Sequence, residues 1–149
     1  MYFVSVTRLR VRSVLFLPRF FWANEASVKA IKKIPGFIEG KELIDKGFTF
    51  WTVTIWQSPE VMKQFRNNDP HKSVMRKLPA WCDEAAYVHW TQETTDFPDW
   101  DTIYRRLLDE GKITKVKHPS PQQERMTYPA PSRTNFARPI KPALVGVSY

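Results

Sequence analysis

The segment FTFWTVTIW (48–56) constrains the fold more than any other part of the 149-residue chain. It alternates like a strand, yet both parities are apolar or threonine. Trp51, Val53 and Ile55 share one face, and Phe48, Phe50 and Trp56 share the other. A strand of this kind is stable only with something packed on each side of its sheet.

The flanking elements follow from periodicity and punctuation. Residues 2–11, YFVSVTRLRV, alternate as a strand with Phe3, Ser5, Thr7, Leu9 and Val11 on one face. Ser13 sits where a helix cap is wanted, and Pro18 suits the first turns of a helix running on to Ile34. Leu17, Phe20, Phe21, Val28 and Ile31 form its stripe, and around Phe21 and Trp22 the helix is apolar nearly all round. Pro35-Gly36 ends it, FIEGKELI is a second strand, and Asp45-Lys46-Gly47 turns into the third. Ser58-Pro59-Glu60 opens a second helix, and Asp69-Pro70 restarts it to about Leu78. EAAYVHWTQET reads as a fourth strand and residues 99–110 as a further helix, which Gly111 ends.

The order β-α-β-β-α-β plus one helix is the ferredoxin-like α+β arrangement, an antiparallel sheet with both long helices on one face. Parity places Trp51, Val53 and Ile55 toward those helices. Phe48, Phe50, Trp56 and Tyr87 then fall on a bare face too apolar for a comfortable monomer. A homodimer with two sheets face to face would cover it. The expected division is a domain over 1–110 and a Pro-rich basic tail over 111–149. That tail would extend over the partner subunit, with its ending ALVGVSY free to dock.

Charge supports this division. Of the net +8, residues 111–149 carry seven Lys/Arg against one Asp/Glu. No nucleic-acid recognition motif accompanies them, so nucleic acid is not an expected partner. Pro18 and Arg19 interrupt RLRVRSVLFLPRFFWA, leaving it too short for a membrane span or a signal core, and a cytoplasmic location is expected. Arg8, Arg10, Arg12 and Arg19 beside that apolar run allow weak contact with a membrane surface; pairing with carboxylates across a dimer is the plainer use. Cys82, the single cysteine, rules out an intrachain disulfide and reads as an inert buried thiol. His71, His89 and His118 lack metal-ligand spacing, so no metal site is expected. A tightly bound flavin or nicotinamide would want a glycine-rich nucleotide motif, and the chain has none.

His71 is the candidate catalytic group. Near the start of its helix it precedes Val74, Met75, Leu78 and Cys82, buried residue types on one helical face. The positive helix end favours a neutral imidazole, able to accept a proton from an acidic C–H or O–H. Thr7, Phe21 or Trp22, Trp51, His71 and Met75 could bound a pocket for a flat apolar ligand. The same residues serve equally as plain core, with His71 merely bonded to a backbone carbonyl.

The block TIWQSPEVMKQFRNNDPHKSVMRKLPAW, with IPGF at 34–37, resembles the antibiotic biosynthesis monooxygenase-like superfamily of dimeric α+β barrels. There a tryptophan ends the third strand, here Trp56, and a histidine follows near the second helical segment, here His71. More narrowly, RLRVRSVLFLPRFFWA and GKITKVKHPS look like an uncharacterised DUF3291-like bacterial family, and the first helix and Pro-Gly turn resemble spheroidene monooxygenase more weakly. The resemblance covers about residues 1–110. It implies a small-molecule oxygenase-like enzyme acting on a polyketide-, quinone- or carotenoid-like compound, or a non-catalytic ligand-binding or assembly protein of the same fold. The haem-degrading branch carries an asparagine on the first strand and an iron-binding histidine late in the second helix. This chain has Thr7 and Met75 there, so no cofactor is expected, although another mode of haem binding stays open.

Overall fold

The structure, a computed structural model, describes residues 1–143. Leu144 onward, and with it most of the ALVGVSY ending, lies outside the described residues. Six antiparallel strands form one sheet in the order β5-β4-β1-β3-β2-β6. They are β1 (Tyr2–Val11), β2 (Phe37–Asp45), β3 (Thr49–Trp56), β4 (Cys82–Gln92), β5 (Lys112–Ile113) and β6 (Arg138–Ile140). The helices are α1 (Leu17–Ile31), α2 (Pro59–Arg66), α3 (His71–Trp81) and α4 (Trp100–Glu110). The four central strands with α1, α2 and α3 make the expected ferredoxin-like α+β fold.

Local chemistry explains the boundaries. Ser58 caps α2 by accepting from the Val61 amide, and Asp99 caps α4 by accepting from the Thr102 amide at 2.7 Å. Gly36 takes φ +95° between α1 and β2, and a Cβ there would lie 2.9 Å from Val61 Cγ1, so this turn needs glycine on both counts. Helix α3 runs three residues beyond Leu78, across Pro79, and β4 starts directly after it at Cys82.

Strand pairing corrects the expected facing of β3. Ser5 pairs with Thr54 and Thr7 with Thr52, whereas Arg8 pairs with Trp51. Thr52, Thr54 and Trp56 therefore share the face of Ser5 and Thr7, beneath α1, α2 and α3. Trp51, Val53 and Ile55 lie on the opposite face with Val4, Val6, Val88 and Trp90. Both parities of β3 are apolar, so parity alone could not say which one meets the helices.

The second face is not bare. Ile103 and Leu107 of α4 pack on it, as does Tyr128 from the following segment, and Trp100 meets Trp51 edge-on. Residues 112–143 thus run along their own chain's sheet instead of trailing toward a partner. Strand β5 adds to one sheet edge and β6 to the other. Between them the Gln123 side chain accepts from the Ala85 amide at 3.0 Å and donates to the Ala85 carbonyl at 3.1 Å. Asp45 accepts from the Ser132 hydroxyl at 2.6 Å and from the amides of Ser132 and Arg133. The apolar face expected to call for a second copy is covered, among the described residues, by the chain's own α4 and Tyr128.

Candidate functional site

The helix-side face of the three central strands is polar at alternate positions. Ser5 and Thr7 on β1, Thr52 and Thr54 on β3, and Tyr87 and His89 on β4 form two cross-strand rows, His89–Ser5–Thr54 and Tyr87–Thr7–Thr52. Serine and threonine are too short to fill the space between sheet and helices. A cavity of about 320 Å³ remains above this floor. Its apolar walls include Phe20 and Val28 of α1, Met62 and Phe65 of α2, and Met75 of α3, with Trp56 at the floor's edge. The Trp56 indole N–H donates to Thr54 Oγ1 at 2.9 Å, so its ring is fixed in place.

His71 opens α3 and lines this cavity. Its Nδ1 lies 3.4 Å from the carbonyl oxygen of Arg66, and its ring packs on Phe65 with centroids 4.7 Å apart. A carbonyl can only accept, so a hydrogen bond here requires the tautomer with the hydrogen on Nδ1, which leaves Nε2 as the basic nitrogen. Burial lowers the His71 pKa below the ordinary histidine value and the Arg66 charge lowers it further; the carbonyl bond opposes them without winning. His89 is lowered in the same sense by burial and by the charges of Arg66 and Lys112. Two neutral imidazoles therefore face one cavity near neutral pH.

Of the residues expected to bound the pocket, Thr7, His71 and Met75 come together in its lining. Trp51 does not, being fully buried on the far face of the sheet. Phe21 sets its ring edge against Phe50 outside the cavity, and Trp22 is 82% exposed. The hydroxyl floor, Tyr87, His89 and Arg66 were not anticipated. A signal for them existed in Ser5-x-Thr7, Thr52-x-Thr54 and Tyr87-x-His89, three strands with polar groups two residues apart.

Other sequence candidates fall elsewhere. Arg8 is 2% exposed and bonds Glu84 at 2.6 Å, and Arg10 reaches the same carboxylate at 3.2 Å. Both are thus paired with carboxylates of their own chain. Arg12 and Arg19 stay on the surface beside exposed Val14, Leu15 and Trp22. The Cys82 thiol is buried and pushed up to about 12, which removes it as a nucleophile. Among the described residues no three metal-ligating side chains cluster, and no helix is long and apolar enough to cross a membrane.

No family model and no curated protein sequence matches the chain. Solved structures do. SnoaB, a cofactor-independent oxygenase from Streptomyces nogalater, superposes with a TM-score of 0.52 at 16% identity, over 66% of this chain and 98% of that one. Rv0793 from Mycobacterium tuberculosis gives 0.58 at 8% identity, over 65% and 100%. An antibiotic biosynthesis monooxygenase gives 0.55 at 9% identity, over 63% and 100%. At such identities the likeness establishes a shared fold, that of the antibiotic biosynthesis monooxygenase-like proteins. About a third of this chain has no counterpart in them.

Proposed function

We propose that the chain is a small-molecule oxygenase-like enzyme of the cytoplasm that holds a flat, largely apolar compound of polyketide, quinone or carotenoid type between its sheet and α1–α3. The reading rests on His71 in the lining of a largely apolar cavity, its pKa held below the ordinary histidine value by burial, and it takes the ring nitrogen not turned to the Arg66 carbonyl, Nε2, as the base. In a site that excludes water, this nitrogen takes a proton from an acidic C–H or O–H of the bound compound. The anion left behind is electron-rich enough to react with dioxygen. The chain does this without a cofactor, in the manner of the cofactor-independent oxygenase SnoaB. Thr7 and the hydroxyls beside it hydrogen-bond the oxygens of the ligand, and Met75 and Phe65 hold its faces.

The test is oxygen uptake with a hydroquinone or polyphenol panel, for the native protein and His71→Ala. Loss of a general base is expected to cut turnover by roughly 10²- to 10⁴-fold. The fold should lose little, since the bond removed is long and a typical one contributes about 0.5–1.5 kcal/mol. The required form is neutral, so native activity should rise as pH climbs through a value below the ordinary histidine pKa of about 6.5 and stay level above it. No uptake by the native protein, together with a stability loss of about 1–3 kcal/mol in His71→Ala, would assign the histidine to structure and leave a non-catalytic ligand-binding protein.

A further inference from the structure

Charge in the cavity wall is one-sided. Among the described residues that line it, Arg66 is the one formally charged side chain, and no aspartate or glutamate is present. Arg66 stands in the last turn of α2, half-buried at the cavity rim. The described ion pairs involve Arg8, Arg10, Arg105, Arg106, Arg138 and Lys141, and none involves Arg66. Its backbone carbonyl is occupied by His71, whereas its guanidinium has no protein acceptor among the described hydrogen bonds. Its charge acts on two imidazoles of the same cavity, those of His71 and His89. An arginine in the lining of a largely apolar cavity, with no carboxylate beside it among the described lining residues, suits a planar oxyanion arriving from outside.

Resting on the reading of the cavity as a ligand site, we propose that its Arg66 end recognises an acid group. The substrate class is then an organic acid with a flat apolar body. Its carboxylate, sulfonate or phenolate-type oxygens would pair with Arg66, and His89 would hydrogen-bond beside it. The body lies over the hydroxyl floor toward Trp56 and Met62.

A matched pair of fluorescent probes separates charge from shape. 8-Anilinonaphthalene-1-sulfonate and N-phenyl-1-naphthylamine share one aromatic body, and only the first carries an anion. The native protein should bind the sulfonate about tenfold or more tighter than the neutral amine. Arg66→Gln should erase that preference while leaving amine binding unchanged, which also reports an intact cavity. Arg66→Lys should restore part of it. Arg76→Gln, at an exposed position on α3, should change nothing and controls for the net +8 of the whole chain. Equal affinities in the native protein would overturn the acid subsite while sparing the ligand cavity. A preference that survives Arg66→Gln would assign it to the diffuse surface charge and overturn the role of Arg66. Failure of both probes to bind would overturn the cavity reading and the subsite together.

Discussion

Ending the chain at Glu110 is expected to abolish its cooperative thermal transition. The segment beyond that point holds Val116, Tyr128 and Ile140, each buried. Burial of three such side chains contributes about 5–9 kcal/mol at about 1.5–3 kcal/mol each. A whole domain of this size keeps only about 5–15 kcal/mol of net stability. The loss is compounded at Arg8, whose guanidinium lies 4.2 Å from the Tyr128 ring centroid and would meet water on one side. Gln123, which bonds both backbone groups of Ala85, would leave with the segment as well. Circular dichroism melting decides the matter. A fragment of residues 1–110 that melts sharply near the native temperature would show the segment to be a detachable tail after all.

Glu84→Ala should be the most damaging single substitution, at about 3–5 kcal/mol, because it strands a buried cation. Glu84 is 1% exposed and Arg8 2%, and they meet at 2.6 Å. Arg10 and the Ser120 hydroxyl both use the other carboxylate oxygen. Burial alone would raise the pKa of this carboxyl, but the hydrogen bond from Ser120 and the Arg8 guanidinium together hold it below the ordinary value. The folded pKa is depressed, so the stabilisation is complete above the unfolded value of about 4.3 and is lost as pH falls through the folded one. Urea unfolding between neutral pH and about pH 3 should show this decline in the native protein and much less of it in Glu84→Gln. An unchanged acid limb in Glu84→Gln would contradict the assignment.

The two faces of the sheet explain what the sequence could disclose. Element order was legible because the signals are local: Ser58 and Asp99 cap helices, Pro35-Gly36 stops one, and β1 and β3 alternate. Facing was not legible. Thr52 and Thr54 share a parity with Phe50 and Trp56, and only their pairing with Thr7 and Ser5 shows them to be a polar floor. That pairing is a long-range property, set by which strands become neighbours. Trp51 was therefore assigned to the pocket, although it pairs with Arg8 and not with Thr7.

The C-terminal segment misled for a related reason. Its prolines and positive charges signal extended chain, and extended it is, but extended chain also suits a cover for a sheet. Beside the short strands β5 and β6, its anchors are single side chains, Gln123 to Ala85, Ser132 to Asp45 and Tyr128 against Arg8, which leave no periodic trace. For the cavity lining, the helical spacing of His71, Val74, Met75 and Leu78 was legible, and all four line the cavity. Trp22 drew attention by residue type alone, and residue type does not reveal that it stays on the surface.

The central claim is that the space between the sheet and α1–α3 admits a flat apolar ligand, and one spectrum tests it. The chain has six tryptophans, of which Trp56 alone lines the cavity among the described residues. Six indole N–H signals in a ¹H–¹⁵N correlation spectrum, with Trp56 assigned through Trp56→Phe, should be followed while N-phenyl-1-naphthylamine is titrated in. The Trp56 signal should move saturably, while those of Trp51, Trp90 and Trp100 on the far face hold still. Movement confined to exposed Trp22, or no saturable movement of Trp56, would contradict the account.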